Sequence, residues 1–267
     1  MAFYLLPNTV GNTASSVDTA SSGSTASGYS LLDLISGPRS RMWRSVASSG
    51  TVRAAYHLAA DTTITHMVAA RADLLVTKNG TRVRPIQKSS GGVWSTIAGV
   101  DFNPLAVGDL MGPKGQDVAF AVSPSNLRGF GLQFESSSGS QAAHLAKLYA
   151  SNAFSFGVEP RIADAPPQWA YLPRGQSINL RTPQRGTFPY EITEQFTLRF
   201  NPVTVAKSAE FKALGQVLHW PMFLYDDAAA VLSWKLEHVM IDSWNETAVD
   251  EEFRSFEISF LRLAQYE

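Results

Sequence analysis

The chain has 267 residues, of which 45% are hydrophobic and 17% are charged, and its formal net charge is −1. This length and composition allow one large domain or two modest ones and exclude a globally disordered chain. A net charge near zero argues against a large phosphate-binding surface, so we expect no nucleic-acid partner. The absence of cysteine excludes disulfide bonds and thiolate zinc sites.

The beginning of the chain has neither a basic start nor a long apolar run, so we expect no signal peptide there. No stretch reaches the ~20 apolar residues that span a bilayer, and no membrane insertion is expected. Residues 11–28 are nearly all Ser, Thr, Ala and Gly. Because such side chains bury little apolar area, we predict an extended arm over residues 1–28, which an assembly would order against a neighbour.

Residues 29–160 have the pattern of a β domain. Apolar residues alternate along 51–58, which predicts a strand with one buried face. Further strands are predicted at residues 64–70, 117–122 and 129–134. Residues 142–149 fit either a helical turn or a last strand, and we prefer the strand because the surrounding pattern is β.

One hairpin is predicted from turn chemistry. The pair Asn79-Gly80 favours the positive φ angles of a tight turn. A strand ending at Val76 would therefore return directly along residues 82–87.

The remainder of the chain divides into a connector and a second domain. Residues 161–190 are rich in proline, which predicts an extended connector with at most one short strand, at residues 177–181. In residues 191–267, alternation along 192–200 predicts a half-buried strand. Thr204 is the predicted N-cap of a helix that reaches about residue 219.

The helix is predicted to bury Phe211, Leu214 and Leu218, which recur at helical spacing. Three more strand candidates, PMFLYDD, VLSWKLEHVMIDSW and FRSFEISFLRL, follow it. The second domain is therefore predicted to be a small sheet with one packed helix.

No pattern of catalytic or metal-ligating residues stands out. The chain has no nucleophile elbow, P-loop, dinucleotide fingerprint or zinc-protease motif. The acidic runs at Asp226-Asp227 and Asp250-Glu251-Glu252 fall at predicted turns and are interpreted as solvated loops. The histidines are scattered and are interpreted as surface or core residues; they are His57, His66, His144, His219 and His238. We therefore assign no catalytic, cofactor or metal residue and predict that the protein is not an enzyme.

A basic and aromatic run, Arg39, Arg41, Trp43 and Arg44, allows two interpretations. It could form a lip that binds a sugar or a partner through Trp stacking and Arg hydrogen bonds. Alternatively, Trp43 anchors the core and the arginines flank it on exposed faces. We prefer the core anchor, because a buried Trp removes a very large area from water.

The segments LLDLISGPRSRMWRS, VRAAYHL and TITHMVAARADLL resemble the galactose-binding-like, or discoidin-like, jelly roll. The matching residues are Asp33, Trp43, Arg44 and Ser45, with Asp73-Leu74 where that family often has Asn-Leu. The resemblance implies a mainly β fold, with a jelly-roll β-sandwich at residues 29–160. It does not imply carbohydrate binding, because this fold also serves as a plain structural or docking module.

A jelly roll, a proline-rich connector and a strand–helix–strand unit in this order are similar to structural proteins of bacteriophage tails, such as distal-tail and baseplate proteins. That resemblance implies a homo-oligomeric ring of three- or six-fold symmetry that contacts other tail or baseplate proteins. It also implies a place in the virion tail after assembly in the host cytoplasm.

Three hypotheses for function follow from these patterns. The first is a structural ring protein of a phage tail tip or baseplate that docks fibres. The second is a module that binds a host receptor or surface glycan through loops near Trp94 or residues 101–115. The third is a glycan-degrading enzyme.

Overall fold

The structure of the protein is a computed structural model, and it is mainly β with one α-helix among the described residues. The described ranges are residues 3–8, 14–17, 25–34, 43–46, 50–74, 82–97, 116–135, 142–145, 147–162, 170–179, 185–226 and 236–263. In these ranges no helix has the length and apolar character needed to cross a bilayer. The predicted fold class, a β-sandwich and a smaller sheet with one helix, is confirmed.

The chain divides into two compact units. Asn8–Ala153 forms one, here called the sandwich unit. Met1–Pro7 joins Phe154–Glu267 to form the other, here called the helix-bearing unit. The first seven residues were predicted to belong to an extended arm, whereas strand β1 (Phe3–Pro7) pairs inside the sheet of the helix-bearing unit.

The described part of the sandwich unit contains eight strands. They are β2 (Ala14–Val17), β3 (Trp43–Arg44), β4 (Thr51–Leu74), β5 (Arg82–Ser89), β6 (Trp94–Thr96), β7 (Gln116–Glu135), β8 (Ala143–Leu145) and β9 (Lys147–Ser151). Their order is β3-β8-β4-β7-β5-β6, and β2 and β9 also pair with β4.

Strands β4 and β7 form a long antiparallel ribbon around which this unit is built. Thr51 pairs with Glu135 at one end, and Ala72 pairs with Gln116 at the other. The register shifts between His57 and Thr62 and again farther along β4. Such irregularities bend a ribbon, so its two halves can contribute to opposite layers. One core cluster accordingly contains residues of both halves, including Tyr56 and Met67.

Several predicted strands are parts of these longer ones. The segments predicted at 51–58 and 64–70 both lie in β4, and those at 117–122 and 129–134 both lie in β7. The preferred strand at 142–149 is confirmed by β8 and β9.

The predicted hairpin between β4 and β5 is wrong. Strand β5 pairs with β7 and β6, and β7 lies between β4 and β5. Turn propensity at Asn79-Gly80 is local, whereas strand neighbours are chosen by burial of whole faces. The turn residues themselves lie outside the described residues.

The helix-bearing unit contains the remaining strands and helix α1. These are β10 (Arg161–Ile162), β11 (Ala170–Asn179), β12 (Arg185–Thr204), α1 (Val205–Ala213), β13 (Met222–Asp226), β14 (Leu236–Ala248) and β15 (Phe253–Arg262). The sheet has the order β1-β13-β14-β15-β12-β10, with β11 also paired to β12. The three strand candidates after the helix are thus confirmed.

The core of this unit is aromatic. Phe196, Leu198 and Phe200 alternate along β12, as predicted, and all three are buried. Phe156 contacts the rings of Phe200 and Phe256, with centroid distances of 4.5 and 5.1 Å. A buried Phe removes a large apolar area from water, so these rings stabilise the sheet against the helix.

Helix α1 begins where the sequence predicts. The Thr204 side chain accepts a hydrogen bond from the Lys207 backbone N–H at 3.3 Å, as an N-cap does. The α-helix ends before Gly215, which has φ +56°, and a 3-10 turn continues to His219. Phe211 is fully buried, Leu218 is buried and Leu214 packs on the same core, so the predicted buried face is confirmed.

A charged cluster holds α1 on the sheet. Glu246 on β14 accepts a hydrogen bond from Ser208 Oγ at 2.7 Å and forms an ion pair with Lys212. Arg254 Nε lies 3.7 Å from the same carboxylate. The hydrogen bond from Lys212 is the largest of the effects that lower the pKa of Glu246, and desolvation opposes it.

The region predicted as a connector contains a hairpin. Strands β11 and β12 pair over residues 170–195, with a register shift between Arg174 and Gly175. Pro173 and Pro189 both lie within the paired region. Strand β11 pairs only with β12 in the described sheet, and an edge strand tolerates proline because one side of it needs no ladder hydrogen bonds.

Candidate functional site

Trp43 is a core residue, as the preferred interpretation of the basic run predicts. Its side chain is fully buried, and its ring packs 6.1 Å from that of Phe134. Its Nε1–H donates to Thr25 Oγ1 at 3.1 Å. Arg44 is partly buried, while Arg39 and Arg41 lie outside the described residues. Trp43 is therefore excluded as a sugar-stacking residue.

The other residues of the jelly-roll resemblance have structural surroundings as well. Ser45 Oγ accepts from the Ala143 backbone N–H at 2.8 Å and donates to the Val46 carbonyl at 2.9 Å. Asp33 lies in a 3-10 turn, and Asp73 pairs with β8 at the end of β4. The hydrogen bonds of Ser45 thus link the chain after β3 to the start of β8.

The described histidine side chains form no metal-binding group. His66 is buried, with Nδ1 3.0 Å from Thr65 Oγ1, and His238 is buried with its ring 4.5 Å from that of Phe223. His219 ends a 3-10 turn, and His144 lies in β8. In the part of the chain that the structure describes, no three His, Asp or Glu side chains are placed to hold a metal ion.

Of the two acidic runs predicted to be solvated loops, one forms a turn and the other includes a buried aspartate. Asp250 Oδ1 accepts from the backbone N–H groups of Glu252 and Phe253, both at 2.8 Å, so this run forms a turn as predicted. Asp226 is buried at the end of β13, which corrects its interpretation as a solvated residue. Asp227 lies outside the described residues.

A different surface collects side chains that can bind a ligand. It is the face of β4, β7, β5 and β6 that points away from the core of the sandwich unit, here called the outer face. Tyr56 and Phe130 point into the core, so their neighbours His57 and Gly129 point to the opposite side. Directly paired residues on adjacent strands share a face, so the register assigns the rest of the outer face.

The first row across the outer face contains Trp94. His57 pairs with Gly129, Gly129 with Lys88, and Lys88 with Trp94, across four strands. Here this set is called the Trp94 row. His57, Lys88 and Trp94 are all partly exposed. A ligand on this face would therefore meet an imidazole, an ammonium and an indole.

Gly129 allows the indole to reach across the row. A Cβ atom at Gly129 would lie 2.7 Å from Cη2 and 3.2 Å from Cζ2 of Trp94. The six-membered ring of Trp94 therefore occupies the space that any other residue at position 129 would need. Its centroid lies 5.8 Å from that of His57, at an interplanar angle of 49°. Together, Trp94 and His57 form an aromatic surface supported by backbone.

A second row contains hydrogen-bonding side chains and is here called the arginine row. Arg53 pairs with Gln133, which pairs with Arg84. Arg53 Nε donates to Gln133 Oε1 at 2.8 Å, and Gln133 Nε2 donates to Glu135 Oε1 at 2.6 Å. Arg84 Nη1 donates to the same Glu135 oxygen at 3.3 Å. These bonds hold the planar groups in a fixed arrangement.

The row between these two is apolar and buried. It consists of Ala55, Gly131 and Ile86. The outer face thus has an aromatic end and a polar end, separated by about four residues of strand, or roughly 14 Å at the usual rise.

Sequence reasoning named Trp94 and residues 101–115 as a possible binding region. The structure places Trp94 on the outer face, while residues 101–115 lie outside the described residues. The prediction from the sequence did not identify His57 as a partner of Trp94, and it did not include Lys88 or Gly129. The Gly-Phe-Gly pattern in β7 was a local signal, because glycines within a strand often mark a close approach of another group.

No family model matches the chain. No curated protein matches it either. Solved structures do resemble part of it. A chitosan-binding module from a chitosanase/glucanase of Paenibacillus sp. IK-5 has a TM-score of 0.41 at 10% identity and covers 55% of this chain and 99% of that one.

Two further likenesses are of the same kind. A module named CBM32-1 from a family 31 glycoside hydrolase of Clostridium perfringens has a TM-score of 0.38 at 16% identity, covering 53% of this chain and 97% of that one. A pectin-binding carbohydrate-binding module has a TM-score of 0.33 at 11% identity, covering 51% and 85%. Scores and identities this low do not carry a ligand over to this chain.

Proposed function

We propose that the sandwich unit is a non-catalytic carbohydrate-binding module that stacks a sugar ring on Trp94. The observation that carries the proposal is the partly exposed indole of Trp94, which extends over Gly129 beside His57. The apolar C–H face of a sugar ring packs favourably on such an aromatic surface. Ligand sites commonly combine a surface of this kind with a few convergent polar groups.

The arginine row supports the same proposal. Sugar hydroxyl groups both donate and accept hydrogen bonds, and Arg53, Gln133 and Glu135 offer donors and acceptors held in place by each other. Preorganised partners lower the entropy lost on binding. The arginine row therefore supports the hypothesis of a module that binds a surface glycan.

Binding is favoured over glycan hydrolysis by the carboxylates on this face. Glycoside hydrolases use two carboxyl groups roughly 5 to 9.5 Å apart. Among the described residues of the outer face, Glu135 is the one carboxylate, and it already accepts bonds from Arg84 and Gln133.

The test is binding of the whole chain to a glycan panel, followed by titration calorimetry of any glycan that binds. Trp94→Ala is expected to weaken binding about tenfold or more, which corresponds to ~1.4 kcal/mol or more of lost stacking. Trp94→Tyr should retain most of the affinity, because it keeps an aromatic face.

Val93→Ser is the matched control, since the Val93 side chain is 84% exposed and adjoins Trp94 in the chain. It is expected to leave affinity unchanged. Equal affinity of the wild-type protein and Trp94→Ala for a bound glycan would refute Trp94 as the stacking residue. Failure of the wild-type protein to bind any glycan would refute the proposed function.

A further inference from the structure

Lys88 brings a positive charge to the Trp94 row. It lies between Gly129 and Trp94 in the register, and its side chain is partly exposed. Among the described residues, no hydrogen bond or ion pair involves its ammonium group. The charge next to the indole is thus neutralised by no described side chain.

Arg53 brings a second positive charge to the outer face. Its Nε–H donates to Oε1 of the neutral Gln133 side chain at 2.8 Å. Arg84, by contrast, forms an ion pair with Glu135, whose carboxylate is the one acidic group described on this face. Among the side chains described on the outer face, three are cationic, Arg53, Arg84 and Lys88, and one is a carboxylate, Glu135.

This local excess does not follow from the composition of the chain, whose 22 basic and 23 acidic residues nearly balance. Two uncompensated cations on one face attract an anionic ligand and repel a cationic one. A guanidinium can also bind a carboxylate or sulfate through two parallel hydrogen bonds, which fixes its orientation.

We infer that the glycan bound at Trp94 is acidic, with its carboxylate or sulfate groups contacting Lys88 and Arg53. This inference rests on the carbohydrate-binding function proposed above. The indole supplies the sugar-stacking contact, and the two cations select sugars that carry a negative charge. Because Lys88 and Arg53 lie in different rows, one oligosaccharide can meet both only if it extends over more than one sugar unit.

The experiment compares each acidic glycan with its neutralised form. Galacturonan oligosaccharides with free carboxylates are titrated against the same oligosaccharides after methyl esterification. Chondroitin sulfate is compared with chemically desulfated chondroitin, which separates sulfate from carboxylate recognition. Single-stranded oligothymidylate serves as a polyanion that is not a glycan. All titrations use the full chain at two salt concentrations.

The wild-type protein is expected to bind one acidic form at least about tenfold more tightly than its neutralised partner, and high salt should reduce this preference. Lys88→Gln and Arg53→Gln should each lower the affinity for the acidic form by about tenfold and leave the affinity for the neutralised form unchanged. Lys207→Gln is the charge-matched control, because it alters an exposed pair with Glu210 in the helix-bearing unit. It should change neither the affinity for the acidic glycan nor that for the neutralised one.

The remaining outcomes separate the inference from the function on which it rests. Trp94-dependent binding of neutral and acidic forms with equal affinity would overturn the inference and leave the proposed function in place. No binding of any glycan would overturn both. Tighter binding of oligothymidylate than of every glycan, lost in Trp94→Ala and Lys88→Gln, would overturn both in favour of a nucleic-acid site.

Discussion

At the scale of single residues, Gly129 determines where the indole of Trp94 lies. An added Cβ atom would come within 2.7 Å of Trp94 Cη2 and 2.8 Å of the Tyr56 carbonyl oxygen. The first neighbour is the end of a side chain and can move, but the second is backbone in the adjacent strand. A side chain at this position must therefore disturb both the aromatic surface and the β4–β7 ribbon.

Gly129→Ala is accordingly expected to lower the free energy of unfolding by about 1 to 3 kcal/mol, as overpacking does. It should also change the fluorescence of Trp94 in the folded protein. Urea unfolding and the emission spectrum measure the two effects. Ser95→Ala, at an exposed position of β6, is the control and should change neither. Wild-type stability together with a wild-type spectrum in Gly129→Ala would contradict the close approach.

The two tryptophans show what sequence can and cannot establish about a residue. Burial of Trp43 could be predicted even within a basic run, because a buried Trp removes a very large area from water. The site of Trp94 could not be predicted in this way. It depends on the register of four strands, and a slip of one residue in any of them would move its partner to the other face.

At the scale of elements, α1 depends on one carboxylate. Glu246 contacts Ser208 and Lys212 on the helix and lies near Arg254 on β15. The hydrogen bond from Lys212 contributes most to a pKa of Glu246 below its ordinary value. Since the folded pKa is the lower one, the unfolded chain binds more protons at acidic pH, and the carboxylate stabilises the fold only when it is ionised.

Glu246→Gln is therefore expected to be less stable than the wild type at neutral pH. The difference should shrink as the pH falls through about 4.3, the unperturbed pKa of Glu, and toward the lower folded value. Chemical unfolding of both proteins across this range measures it. Glu210→Gln serves as control, because its partner Lys207 is exposed and such pairs contribute little. A stability difference independent of pH would contradict an ionic role for Glu246.

The elements that the sequence predicted correctly are those with local signals. Alternation identified β12, and the cap at Thr204 identified α1. The prediction of a connector in place of β11 was wrong because proline content is a local property, whereas an edge strand that tolerates it is a property of the sheet. The β4–β5 pairing was wrong for a similar reason, since β7 enters between them from far along the chain.

At the scale of the whole molecule, the chain has two units with separate core clusters. The proposed sugar-binding surface lies entirely in the sandwich unit. The ring assembly implied by the resemblance to phage tail proteins stays a prediction. A ring of this kind requires contacts between separate copies of the chain.

That prediction is tested by the mass of the protein in solution. A trimer or hexamer of the 29.1 kDa chain at micromolar concentration is the outcome expected for a ring component. Light scattering across a dilution series distinguishes it from concentration-dependent aggregation. A monomer at every concentration would contradict self-assembly of the isolated protein and would agree with a module that binds glycan as a single chain.

The pairing of β1 with β13 has a consequence for biosynthesis. Residues 3–7 are translated before the sandwich unit, whereas their partners, residues 222–226, are translated after it. Phe3, Leu5 and Leu6, all buried in the finished sheet, must stay exposed while the sandwich unit is translated. Contacts so distant in sequence form late and slowly. During translation the sandwich unit can therefore fold first. The sheet of the helix-bearing unit is completed only after β13 has left the ribosome.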